Sequence, residues 1–259
     1  ILQQIESFTM SSWIYPTATQ AGVQALLTRW SGTSSSGFGL FIDQAGRLMA
    51  WLGDGSGNIQ RIHTETPLRS KTWYFVAITY DAEVKTVNLY QEPIHRWPIN
   101  STRATVEQAV SVRPIAPACT PFLMAGYLAR DQDERGAVGG SFNGKLDRPS
   151  IFDRALSLSE IGQLQAEASH QKFSKALVAA WDFSADIAST KVKDTSKHEL
   201  HGRTVNMPTR AVTGHNWTGT ETDFRLALAE YGAIHFHDDD LEDAGWDTDF
   251  EFKVPGNLP

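Results

Sequence analysis

The chain has 259 residues, a formal net charge of −7 and one cysteine. A net negative surface lacks the basic face that binding to a phosphate backbone requires, so no nucleic-acid partner is expected. No apolar run of about 18 residues provides a membrane span, and Cys119 alone cannot staple the fold, which fits a cytoplasmic protein.

Residues 8–14 alternate apolar and polar at period two, and Pro16 follows, which predicts a half-buried strand. Strands are predicted at 25–30 and 38–42, with the Ser/Gly run 31–37 as turn material between them. A further strand at 47–52 follows the turn Gln44-Ala-Gly46. The flexible stretch Gly53-Asp-Gly-Ser-Gly57 leads into a short strand at 59–63. In 73–80, Trp73, Phe75, Ala77 and Thr79 fall on one face and Tyr74, Val76, Ile78 and Tyr80 on the other. A strand apolar on both faces belongs at the centre of a sheet with both sides covered. Residues 84–90 pair with it across a turn at Asp81. The turn spacing is that of an antiparallel sandwich.

Residues 92–118 are polar and aperiodic and read as one long loop, the kind that is functional or disordered. A strand is expected at 122–128, then strand segments at 145–147 and 151–152. Ser157 is a helix N-cap with Glu160 as its capping-box partner, and Leu156 and Ile161 occupy the staple positions. The short helix with Ile161, Leu164 and Ala168 on one face is expected to pack on an edge of the sandwich.

Four stretches in this order resemble the laminin-G-like, concanavalin A-type jelly roll. They are Phe8-Thr-Met-Ser-Ser-Trp13, Trp73-Tyr-Phe-Val-Ala-Ile-Thr-Tyr80, Phe142-Asn-Gly-Lys-Leu-Asp147, and Arg154-Ala-Leu-Ser157 with Glu160-Ile161. The resemblance implies an all-β, antiparallel β-sandwich with one short helix. Members of that fold open on strands like Leu177-Val-Ala-Ala-Trp-Asp-Phe183 and Leu200-His-Gly-Arg-Thr-Val-Asn206, which here follow the helix. Either a second jelly roll begins there, or these residues complete the first sheet in permuted order. Residues 177–224 are too few for a second jelly roll, and two lone strands would leave open edges. The permuted sandwich is therefore expected to span 1–225. Residues 226–259 form an acidic strand-turn segment leading into a further domain that this chain does not reach. The chain opens on Ile1, without a signal pattern, and is expected to be a piece of a longer protein.

Residues 238–251 carry eight acids and no base, so the net acidity belongs to one local feature. Just before them, period two places His235, His237 and Asp239 on one side of an extended segment, where imidazole and carboxylate could share a metal such as zinc or iron. The plainer reading is strand-edge polar groups at a domain junction. Calcium could bind the acid cluster, although the regular Asp-x-Asp-x-Asp-Gly loop is absent and a solvated turn or a subunit contact explains it as well. The run 231–255, with Met207-Pro-Thr-Arg-Ala-Val-Thr-Gly-His-Asn-Trp217, resembles the large-subunit family of N,N-dimethylformamidase. That resemblance implies a sandwich region preceding a catalytic domain that hydrolyses a small amide with an iron held by Tyr and Glu. It also implies a small subunit and a homo-oligomer as partners. No catalytic residue carries over to this chain.

Several features admit plainer readings. Asp194-Thr-Ser196 is turn chemistry, and His198 and His201 make local hydrogen bonds. Cys119 between Pro117 and Pro121 reads as structural. Trp30, Trp51 and Trp97 could line a sugar platform, with core packing the larger expectation. Asn100-Ser-Thr102 and Asn216-Trp-Thr218 match glycosylation acceptors and matter only in a secreted protein. Three functions compete: a non-catalytic sandwich region of an amidohydrolase large subunit, a laminin-G-type carbohydrate- or protein-binding module, and an autonomous hydrolase using the His/Asp cluster.

Overall fold

Period-two alternation gives the first seven strands, which belong to two sheets, an apolar face each, and the faces of the two sheets close on each other. The computed structural model describes residues 5–95, 101–130, 137–166, 170–206, 208–210 and 212–216. Apart from Asn216, these belong to the unit Ile1–His215. The strands are β1 Phe8–Pro16, β2 Gln24–Ser31, β3 Ser36–Ile42, β4 Leu48–Asp54, β5 Ile59–His63, β6 Tyr74–Asp81, β7 Thr86–Pro93 and β8 Ala104–Ala109. After them come β9 Leu123–Met124, β10 Tyr127–Arg130, β11 Ala137–Gly139, β12 Gly144–Phe152, β13 Leu177–Asp182, β14 Lys191–Asp194 and β15 Gly202–Arg203. The helix α1, Leu158–Ala166, lies between β12 and β13.

Two sheets form the sandwich. One runs β15-β14-β13-β12-β1-β6-β7-β8, and the other runs β11-β10-β2-β3-β4-β5 with β9 also on β2. Between them lies a core of Phe8, Met10, Ile14, Leu26, Leu40, Ile42, Leu52, Val76, Ile78, Leu89, Ile151 and Val178, all essentially buried. Phe8 of β1 stacks on Phe38 of β3 at 4.1 Å across the two sheets. Each fully buried side chain of this size stabilises by about 1.5–3 kcal/mol relative to exposure.

As predicted, β6 is central: Tyr74, Val76, Ile78 and Tyr80 face this core. Phe75 and Ala77 face a second cluster with Trp13, Tyr90, Phe152, Ile161 and Leu164. Helix α1 therefore packs on the outer face of the larger sheet and not on its edge. The edge expectation fails because the apolar stripe of α1 needs a flat apolar surface, which Phe75, Ala77 and Phe152 provide. The capping box forms as expected. The Ser157 amide donates to Glu160 at 2.9 Å, and the Glu160 amide donates to Ser157 Oγ at 3.3 Å. Arg154 adds two bonds to the Glu160 carboxylate at 3.0 and 2.7 Å.

Three expectations need correction. The long loop over 92–118 contains β8, an edge strand whose residues are mostly exposed and so carry no apolar alternation. The single strand at 122–128 is two short ones, broken where Ala125 adopts φ 60. The segments 145–147 and 151–152 are one strand, β12. Its Pro149 falls where Arg148 takes φ 50 and the register against β1 shifts, so the missing N–H is not needed there.

The strands after the helix join the same sheet. β13 pairs antiparallel with β12, then β14 with β13 and β15 with β14. Trp181 of β13 enters the main core, stacks on Phe122 at 5.3 Å and donates its indole N–H to Leu200 O at 2.8 Å. The boundary expected at 225/226 lies outside the described residues.

Candidate functional site

The site is built on the part of the outer face that α1 leaves uncovered. Residues directly opposite in an antiparallel pair project to the same face, and β1 and β12 pair Trp13 with Asp147 and Tyr15 with Lys145. Two aromatic and two charged side chains therefore stand in one row. Lys145 Nζ lies 5.4 Å over the Tyr15 ring, and Trp73 packs on Tyr15 at 5.4 Å.

Residues 208–210 and 212–215 form a strap, and Thr213 and His215 of it meet this row. At its start the Arg210 guanidinium donates to the carbonyls of Phe183 at 3.1 Å, Ser189 at 3.1 Å and Lys191 at 2.9 Å, and to that of Ala185. Lys145 Nζ then donates to Thr213 Oγ1 at 3.2 Å. At the strap's end the His215 ring stacks on Trp13 at 4.2 Å with an interplanar angle of 9°, and Trp73 meets it edge-on at 6.4 Å. Its Nδ1 lies 2.6 Å from Asp147 Oδ2, and its backbone N–H reaches the same oxygen at 3.2 Å. The two side chains are 12% and 26% exposed, so the pair is shielded from water. Burial alone would raise the Asp147 carboxyl. The side-chain and backbone hydrogen bonds from His215, with the charges of His215 and Arg148, outweigh it and hold the carboxyl below its ordinary value. A catalytic triad needs a nucleophile on the other ring nitrogen, and among the described residues no hydroxyl or thiol bonds it. The arrangement is built to hold a chain segment in place.

A second polar centre sits at the far end of the sheet. The Asp194 carboxylate, on a residue 2% exposed, accepts the amides of Ala180 at 2.9 Å, Ser196 at 2.8 Å and Leu200 at 2.8 Å. The Ser196 hydroxyl adds a fourth bond at 2.7 Å. The turn reading of Asp194 and Ser196 is what the structure shows. His201 Nδ1 accepts the Asp194 amide at 3.1 Å, so its imidazole makes the local bond expected, while His198 joins the turn through its backbone N–H, which donates to Ser196 Oγ.

The other residues singled out in the sequence divide as follows. Trp30 and Trp51 are 3% and 9% exposed and pack with Phe41, Ala25 and Met49 into a cluster of their own. Arg61 lies over Trp51 at 4.9 Å. They form a packed layer, with no open platform. Cys119 is exposed and does not pack into the core. Its turn instead supplies the carbonyls of Pro117 and Thr120 that accept from Arg29, a cation only 3% exposed. Trp97, Asn100, the acids of 238–251 and the candidate ligands His235, His237 and Asp239 lie outside the described residues. Among the described residues, no group of three or more His, Cys, Asp or Glu is placed to hold a metal ion. No described helix is long and apolar enough to cross a membrane.

Sequence reasoning singled out neither Arg29 nor the pairing of His215 with Asp147. Arg29 lies within the strand expected at 25–30, Asp147 and His215 fall in two different motifs, and 68 residues separate that pair.

Residues 2–162, more than half of the chain, match the concanavalin A-like lectin/glucanases superfamily, and the chain belongs to it. Its fold is shared with a Bacteroides ovatus protein assigned to carbohydrate binding, at TM-score 0.53 and 17% identity over 77% of this chain and 52% of that one. The CBM40 of Ruminococcus gnavus IT-sialidase, bound to α2,3-sialyllactose, matches at TM-score 0.50 and 17% identity, over 63% of this chain and 84% of that one. The particular proteins it resembles in sequence are β subunits of N,N-dimethylformamidase. That of Paracoccus aminophilus is 34% identical over 269 residues, covering 97% of this chain and 34% of the relative. That of an Alcaligenes species is 34% identical over 274 residues, covering 99% and 35%. The chain spans about a third of the length of these curated relatives.

Proposed function

We propose that this chain is the non-catalytic β-sandwich region of a dimethylformamidase-like amidohydrolase large subunit, where it positions a following catalytic domain and takes part in subunit assembly. The observation that carries this reading is the extent of the likeness. Identity at 34% runs over 97% of the chain, well past residue 162 where the superfamily match ends. A lectin-like module has no reason to share the strap and the acidic run beyond it. The likeness to sugar-binding structures is one of fold, and one fold hosts many functions.

On this reading the parent hydrolyses a small amide in the cytoplasm, and its partners are a small subunit and further copies of itself. Iron would be held by Tyr and Glu of the following domain. Among the described residues no group of three or more His, Cys, Asp or Glu is placed to hold it. His235, His237 and the acids of 238–251 then belong to assembly surfaces. Replacing His235 and His237 by Ala should leave the sandwich folded and weaken assembly of the complete enzyme. Unchanged assembly by size-exclusion chromatography would count against that role. Selective binding of this chain on a glycan array would favour the carbohydrate-module reading instead.

A further inference from the structure

We infer that His215 is a positioning residue. Paired with Asp147 and stacked on Trp13, it latches the chain to the sandwich at the last point before the polypeptide continues toward the domain that follows. This inference rests on the positioning role proposed above.

The strap has little apolar anchorage of its own, since Val212 remains 47% exposed. Among the described residues its hold comes from polar pins: Arg210 on the carbonyls of Phe183, Ser189 and Lys191, Thr213 on Lys145, and His215 on Asp147. Of these, the His215 pin sits on the last residue of the unit Ile1–His215. Trp13 is a fixed platform there, because it is 6% exposed and its ring meets Phe75 edge-on at 5.4 Å in the cluster beneath α1. The imidazole therefore lands on a rigid face, and the Asp147 carboxylate fixes its rotation about that face. A ring oriented by a partly buried charged bond and a stack fixes the path of its own backbone within the same geometry. Arg210 can keep the strap attached while His215 lets go, so the exit point can loosen without the sandwich unfolding.

On β12, Asp147 bonds His215, Lys145 bonds Thr213 of the strap, and the charge of Arg148 acts on Asp147. Trp13 of β1 and Trp73, on the chain before β6, meet the imidazole ring. The latch requires Asp147 to be ionised. It holds above the ordinary carboxylate range and opens as pH falls through the depressed value of Asp147.

Hydrogen–deuterium exchange on the protein from the complete reading frame tests this. His215→Ala and Asp147→Asn should each raise exchange in the peptide over 208–216 by about tenfold or more, as loss of a charged hydrogen bond implies. Peptides from β1 and β12 should keep wild-type protection. His215→Gln, which retains a side-chain N–H donor, should recover part of the protection. Acidification should release the same peptide in wild type, whereas Asp147→Asn should already be released at neutral pH. With the latch open, amide turnover by the complete protein should fall. Wild-type exchange in both variants overturns the latch, and so does raised exchange spread through β1 and β12. Local release with unchanged turnover and assembly overturns the positioning role. A complete wild-type protein that hydrolyses no amide overturns the parent reading instead.

Discussion

Asp194→Asn tests whether the strands after the helix are part of the main sandwich. In the native chain, Asp194 Oδ1 accepts the amides of Ala180 and Ser196, and Oδ2 accepts the Leu200 amide and the Ser196 hydroxyl. Asparagine can keep its oxygen at the first position and must then place its NH2 at the second. The Ser196 hydroxyl can turn to accept from it, but the Leu200 N–H is left facing another donor. One charge-assisted bond disappears, a backbone donor is stranded and the remaining bonds weaken, for a loss of about 2–4 kcal/mol. For a chain of this size that corresponds to a fall in Tm of about 6–12 °C. The sign with pH is fixed as well. Burial would raise the Asp194 carboxyl, and hydrogen bonds from Ala180, Ser196 and Leu200 outweigh it and hold the carboxyl below its ordinary value. Its contribution is present above that value and lost as pH falls through the depressed one, so wild type and variant should converge in acid. The assay is urea denaturation followed by tryptophan fluorescence and circular dichroism, at neutral pH and in acid. A variant within about 1 kcal/mol of wild type at neutral pH would refute the reasoning. So would a separate early transition for β13–β15, because strands integral to the core must melt with it.

Other perturbations probe neighbouring links of the same argument. Trp181→Ala should cost about 3–5 kcal/mol by denaturant melting, since the ring is 6% exposed and stacks on Phe122; a loss below about 1 kcal/mol would make β13 peripheral. Glu160→Ala should destabilise by about 1 kcal/mol, because Arg154 and Glu160 are 43% and 30% exposed and the pair is screened. The Arg154 hydrogen bonds, helped by Ser157, hold the Glu160 carboxyl at about 2. This contribution should fade between about pH 5 and about 2, a dependence that the variant's urea midpoints should lack. Gly39→Ala should cost about 1–3 kcal/mol in thermal melts, since an added Cβ would lie 2.6 Å from the Phe41 ring and 2.9 Å from the Thr28 methyl.

The central strands were legible because each exposes its period to two different covers. In β6 one face meets the other sheet and the other meets α1, and both sets of residues are apolar. Helix α1 was legible from Ser157 and Glu160, whose spacing alone defines the reciprocal bonds. Edge strand β8 was not, because Thr105, Glu107, Gln108 and Ala109 face solvent and no burial imposes a pattern. The continuity of β12 was hidden by Pro149, which reads as a break unless the bulge opposite β1 is known. At the candidate site, period two already places Lys145 and Asp147 on one face. The partner of Asp147 could not be read from spacing, since a contact across 68 residues follows only once β13–β15 have carried the chain out to the sheet edge and the residues after β15 have returned to β12. The His235, His237 and Asp239 alternation falls outside the described residues and stays a sequence expectation.

In the proposed role this chain supports an amide hydrolase without carrying its chemistry. Release of dimethylamine from N,N-dimethylformamide is the decisive measurement, made side by side for the 259-residue chain and for the protein from the complete reading frame. Turnover is expected from the complete protein and none from the chain, with or without added iron. Turnover by the chain alone would contradict that role.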